Sequence, residues 1–240
     1  MPALPRVPAA ALAVVASLAL GACAASRQHD DAHRELVVLV HGMGRSPVSM
    51  APLEVSLRRA GYRVLNVGYS STGPSVAEIG QMLDDVVDRA IAEEVPPRVH
   101  FVGHSLGTVA IRWLLANDPP GVPARAVLLA PPNRGSHSAD RWAPWIGWSL
   151  RPIRELRTAG GTAVALGTPP RGEIAVIAGD RDGKVWVEET CLAGAAHAVV
   201  PSRHTFIMMH PRVIEMVRQF LATGVLPGAS DATCADVLAG

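Results

Sequence analysis

Apolar and polar positions follow two different rhythms along this chain, and the switches between them mark its elements. Residues 36–40 (Leu-Val-Val-Leu-Val) form an unbroken apolar, mostly β-branched run, the pattern of a strand buried on both faces. Residues 48–60 have helical spacing and stop at Gly61, which suits a helix C-cap. A second strand is predicted over 63–69. Residues 75–94 then put Val76, Ile79, Leu83, Val86, Val87 and Ala90 on one helical face, halted by Pro96-Pro97. A strand over 99–103 leads into a helix over 106–117. Strands over 126–130 and 174–178, and a short one near 198–200, complete the set. Residues 211–221 read as a closing helix with proline in its first turn. Strands alternating with helices imply a mostly parallel sheet covered by helices on both faces.

Composition changes the picture first at the N-terminus. Arg6 precedes an apolar stretch over 7–20, followed by Gly21-Ala22-Cys23-Ala24. That stretch is too short for a permanent membrane span and reads as a secretory signal over 1–22, with a polar linker over 23–34. Leu20-Gly21-Ala22-Cys23 also resembles a bacterial lipobox, in which Cys23 would carry lipid and become the new N-terminus. The rival reading is plain cleavage at a small-x-small site. The lipobox reading implies an exported protein of the cell envelope or periplasm, tethered to a membrane by its lipid. Export leaves Cys191 and Cys234, which either pair or stay as free thiols. The remaining 35–240 suit one domain.

The densest chemistry lies at Gly103-His104-Ser105-Leu106-Gly107, a G-x-S-x-G between a predicted strand and a predicted helix. So sharp a turn has no room for a Cβ at its flanking positions, and it pushes Ser105 to the C-terminal edge of the sheet as a candidate nucleophile. His41-Gly42-Met43-Gly44 follows the first strand. Acyl transfer needs two backbone N–H groups aimed at a developing oxyanion. The amides of Leu106 and Met43 are the candidates. His41 and His104 are expected to be structural.

Together these motifs, with Ala130-Pro131-Pro132-Asn133-Arg134-Gly135-Ser136 and Asp182-Gly183-Lys184-Val185, resemble the bacterial lipase and esterase branch of the α/β-hydrolases. They are also similar to the relatives that deacylate inositol on membrane anchors. The resemblance covers roughly 35–222. It implies the α/β-hydrolase fold, with a small cap over 133–172 after the strand at 126–130, metal-free serine catalysis, and a carboxylic ester as substrate. In this fold the acid follows the serine and the histidine comes last. Asp182 matches the lipases' Asp-Gly-x-Val pattern; Asp180 stays open as the alternative. His204 lies where the family's catalytic histidine sits, with His197 and His210 as competitors. The cap carries Trp142, Trp145 and Trp148, three of the chain's five tryptophans, spaced by three. Either they wall an acyl-binding lid or they pack onto the core. Pro144 and Gly147 argue against a long regular helix there.

Several function classes fall away. A net charge of +1, with no basic run, gives no electrostatic case for nucleic acid. No H-E-x-x-H or paired-cysteine spacing suggests a metal, and no phosphate loop or dinucleotide fingerprint suggests a cofactor. The expected substrate is a small-molecule or lipid ester. A thioesterase, an envelope-polymer deacetylase, an acyltransferase on the same fold and a non-catalytic binding lipoprotein are the rival readings.

Overall fold

The computed structural model describes residues 35–117, 119–122, 124–167, 173–230, 234 and 235. The expected signal over 1–22, the linker over 23–34 with Cys23, and the last five residues of the expected cap lie outside the described residues.

Six strands form one sheet in the order β2-β1-β3-β4-β5-β6, and every pairing is parallel. They are β1 (Leu36–Val40), β2 (Arg63–Val67), β3 (Val99–His104), β4 (Ala124–Leu129), β5 (Glu173–Gly179) and β6 (Ala196–Val200). The connecting helices are α1 (Ala51–Arg59), α2 (Val76–Glu93), α3 (Leu106–Asn117), α4 (His137–Ile146), α5 (Arg151–Glu155), α6 (Thr162–Ala165) and α7 (Pro211–Thr223). β1 explains why its sequence shows no alternation. Leu36, Val38 and Val40 point into one core with α2, α3 and the cap, while Val37 and Leu39 point into a second core with α1 and α7. Both faces of the strand are dry, so every position is apolar.

The helix ends follow local chemistry. Ser75 caps α2 in a complete capping box with Glu78, whose carboxylate accepts from the Ser75 amide at 2.6 Å. α7 opens on Pro211 and ends at Gly224, held at φ 76°. The predicted helix over 48–60 is two pieces, a 3-10 turn at Pro47–Met50 and then α1, because Pro52 can enter a helix only at its first turn.

The topology positions the site. From β1 the chain steps outward to β2, then crosses back to β3 on the other side of β1. The loops leaving the C-terminal ends of β1 and β3 therefore diverge and leave a crevice between them. Val40 pairs with Gly103 at this end, which sets His41-Gly42-Met43-Gly44 beside Ser105.

Candidate active site

Ser105 sits between β3 and α3 at φ 51°, a left-handed conformation that few non-glycine residues adopt. Its backbone is pinned: its N–H donates to Leu129 O at 3.0 Å, and its carbonyl accepts from Thr108 N at 2.9 Å and Thr108 Oγ1 at 2.6 Å. The flanking glycines are steric necessities. A Cβ on Gly107 would lie 2.4 Å from Val40 O, and one on Gly103 would lie 2.9 Å from Thr108 N. Leu106 is the first residue of α3, so its N–H has no partner within the helix.

The loop after β1 turns tightly, with Arg45 N donating to Gly42 O at 3.2 Å. Gly42 passes so close to the nucleophile that a Cβ there would meet His104 Nδ1 at 2.8 Å and Ser105 Cβ at 3.2 Å. Gly44 N donates to the buried hydroxyl of Ser71 at 2.9 Å. His41 stacks on Tyr69 at 4.2 Å between ring centroids, and Tyr69 donates its hydroxyl to His41 O. Both contacts brace the loop. Burial raises the Tyr69 hydroxyl's pKa and lowers that of His41.

The loops after β5 and β6 bring the next two groups to Ser105. Asp182 Oδ1 accepts from the amides of Lys184 at 2.8 Å and Val185 at 2.9 Å, which aims Oδ2 at His204 Nδ1, 2.7 Å away. His204 Nε2 lies 3.0 Å from Ser105 Oγ. A hydroxyl, an imidazole and a carboxylate in this line can move the serine proton onto the ring and stabilise the charge that results. His104 lies alongside, its Nε2–H donating to His204 O at 2.9 Å. Burial above all, then the nearby His204, pushes the pKa of His104 well below the ordinary histidine value, so its ring stays neutral.

The competing residues are occupied elsewhere. Asp180 is exposed and faces Arg181 at 3.8 Å. His210 caps α7, accepting from Arg212 N at 3.2 Å. His197 lies within β6 and contacts Thr190 Oγ1 at 2.7 Å on a buried side of the sheet. Beside it Cys191 and Cys234 are joined by a disulfide, whose two sulfurs lie within 4.8 Å of a ring nitrogen of His197.

Residues 37–237 match the alpha/beta hydrolase family. The chain belongs to that family. Over 117 residues it is 32% identical to a Variovorax paradoxus protein named for carbamate hydrolysis, RutD, covering 46% of this chain and 44% of that protein. Bacillus licheniformis lipase BlEst2 in its propeptide form superposes with a TM-score of 0.68 at 19% identity, covering 83% of this chain and 52% of that one. Pyrococcus furiosus esterase Pf2001 superposes with a TM-score of 0.61 at 21% identity, covering 80% and 82%. The chain thus spans about half the length of the first two.

One opening reaches Ser105, and a second lies beyond the neighbouring Gly44 and Thr205. A small cavity of about 60 Å³ touches Ser105, His204 and Met43 and is walled by Pro132, Ile153 and Val185. A wider groove of about 430 Å³ runs past Gly44 and Arg45 between Val48, Phe206, Met208 and Met209. The cap covers the first. α4 is a regular helix despite Pro144, which stands near its end and breaks a single hydrogen-bonding position. Ala139 and Ala143 take its inner side, so Trp142, Trp145 and Trp148 are turned to solvent. They neither pack onto the core nor line the small cavity, because that face of the helix is filled by small residues.

Ser136, at the end of the 130–136 motif, and two residues outside every motif, Glu189 and Arg112, hold this arrangement. Ser136 accepts from Ala139 N at 3.3 Å as the cap of α4 and donates to Lys184 O at 2.6 Å, tying the cap to the Asp182 turn. Glu189 accepts from the amides of His137 at 2.6 Å and Trp186 at 2.7 Å. Arg112 is buried and donates to Ala163 O at 2.8 Å, Asn133 Oδ1 at 3.2 Å and the Gly167 carbonyl. Outside the motifs, only Arg112 carried a sequence signal, a lone cation in an otherwise apolar helix.

Proposed function

We propose that this hydrolase cleaves carboxylic esters through a Ser105-His204-Asp182 triad and an acyl-enzyme. The supporting observation is the unbroken hydrogen-bonded line from Asp182 through His204 to a Ser105 held in a strained turn. His204 takes the serine proton as Oγ attacks the ester carbonyl. The amides of Met43 and Leu106 hold the oxyanion, and His204 then protonates the leaving alcohol. Water repeats the sequence on the acyl-enzyme. The expected signal over 1–22 and the Cys191–Cys234 bridge support the reading of an exported enzyme, tethered through Cys23.

The two openings divide the ester. About 60 Å³ beside the serine holds on the order of four or five heavy atoms, while the larger groove, with both apolar and polar walls, takes the bulkier half. With a nitrophenyl ester the aromatic leaving group needs the groove, which leaves the acyl chain in the small cavity. Acetate and butyrate esters are then expected to turn over at least tenfold faster, by kcat/KM, than octanoate, with all turnover lost in Ser105→Ala. An octanoate optimum would overturn the division, and equal rates in the mutant would overturn the triad. A nitrophenyl carbamate in the same panel tests the activity named for the Variovorax relative.

A further inference from the structure

The outer face of the cap is an unusual surface for water. Trp142 is 51% exposed, Trp145 74% and Trp148 82%. They are adjacent: Trp142 and Trp145 are one turn apart on α4, and the Trp148 indole N–H donates to Trp145 O at 3.1 Å. Three neighbouring indoles in solvent form the kind of apolar patch that marks a binding surface.

Charge narrows the occupant. Residues 134–157 contain five arginines (134, 141, 151, 154 and 157) against Asp140 and Glu155, a net of +3. Both acids are engaged. Asp140 faces Arg157 at 3.4 Å and accepts from Thr158 Oγ1 at 2.5 Å; Glu155 accepts from Val76 N at 2.8 Å and Thr162 Oγ1 at 3.0 Å. Arg151 faces Glu78 at 3.3 Å. Arg134, Arg141 and Arg154 are left exposed, with no acidic partner among the described residues, and the last two stand by the tryptophans. Arg141 neighbours Trp142 and lies one turn before Trp145. The Arg154 stem runs against Gly147, where an added Cβ would meet its Cγ at 2.8 Å.

We infer that this face of the cap docks on an anionic lipid bilayer. Indole rings favour the headgroup boundary, where the ring is apolar-solvated and the N–H stays hydrogen-bonded. Arginines beside them meet the negative headgroups. A ten-residue helix lies in the interface rather than across it, and no described helix is long and apolar enough to cross a membrane. The inner side of α4, through Ala139, and its cap Ser136 line the cavity beside Ser105, so docking through the outer side holds the helix that covers the site against the lipid. The inference extends the ester-hydrolase reading by naming the surface that presents substrate. Vesicle binding is measured without turnover, so either idea can fail alone.

The test compares the full chain with Trp142→Ser/Trp145→Ser/Trp148→Ser and with Arg141→Gln/Arg154→Gln, so that any pull from the leader is common to all three. Sedimentation with 1:1 phosphatidylglycerol–phosphatidylcholine vesicles is expected to show at least tenfold weaker binding for the tryptophan variant. The arginine variant is expected to lose most of its preference over pure phosphatidylcholine. Brominated acyl chains should quench the wild-type tryptophan emission. Hydrolysis of a soluble nitrophenyl ester and the melting temperature should hold within twofold and two degrees. Equal vesicle binding by the tryptophan variant, no quenching, or a tryptophan-dependent dimer that ignores vesicles would overturn the inference.

Discussion

Ser105 is held in a conformation that costs an L-residue roughly 1–2 kcal/mol. Bonds to Leu129, Thr108 and the close passage of Gly42 and Gly107 maintain it. The same residue-level logic separates the two aspartates. Position along the chain left Asp180 and Asp182 equal, because both leave the same strand end. Geometry does not: Asp182 has both oxygens engaged, one by two backbone amides and one by His204, whereas Asp180 faces solvent. Asp182→Asn is expected to lower kcat by about 10³–10⁴, since an amide can hold the ring in the wrong tautomer. Asp180→Asn should stay within about twofold. Steady-state kinetics on a nitrophenyl ester decide it, and the reverse order would reassign the acid. The serine and histidine positions were legible because a turn motif and a resemblance pointed to them. Ser71 was not, since a serine that braces a loop looks like any other loop serine until its partner is placed.

At the scale of elements, the inner strands were legible from apolar runs, because a parallel sheet buried on both faces leaves little freedom in composition, while the edge strand β2 tolerates Arg63 and Asn66. The ends were less so. The second strand stops at Val67, where Gly68 begins the turn away, and the fourth begins two residues before its apolar run, since Ala124 and Arg125 pair at the sheet's margin. The cap was the least legible part. Its short helices are fixed by long-range partners, above all Arg112, which reaches from α3 to Asn133, Ala163 and Gly167. Burial pulls its pKa down to about 10, so the guanidinium stays charged at neutral pH, matched by carbonyl oxygens. Arg112→Met removes the charge but leaves those carbonyls without donors, an expected cost of about 2–4 kcal/mol. Hydrogen exchange should show residues 133–167 opening first in that variant. Uniform protection across the chain would mean the cap is anchored by its apolar contacts alone.

At the scale of the whole molecule, burial lowers the pKa values of three histidines among the described residues, His41, His104 and His197, from the ordinary 6.5. Above about pH 6.5 they are neutral both folded and unfolded, and the chain keeps its full stability. As pH falls through that value the unfolded chain takes up protons that the native rings refuse. Each histidine then costs up to about 1.4 kcal/mol per pH unit until its own folded pKa is reached. Urea unfolding at pH 7.5 and 5.0 should show lower stability in acid, and His197→Gln should flatten the dependence. The Cys191–Cys234 bridge, with a sequence separation of 43, opposes unfolding at every pH by about 4 kcal/mol through the loop it closes. A pH-independent unfolding energy would contradict the neutral-histidine account. The account as a whole rests on an activated serine, and the most direct measurement is intact-mass analysis after treatment with a fluorophosphonate. One adduct, mapped by peptide analysis to Ser105 and absent from both Ser105→Ala and His204→Ala, is the predicted result. A folded protein that takes no label, or takes it at another residue, would contradict it.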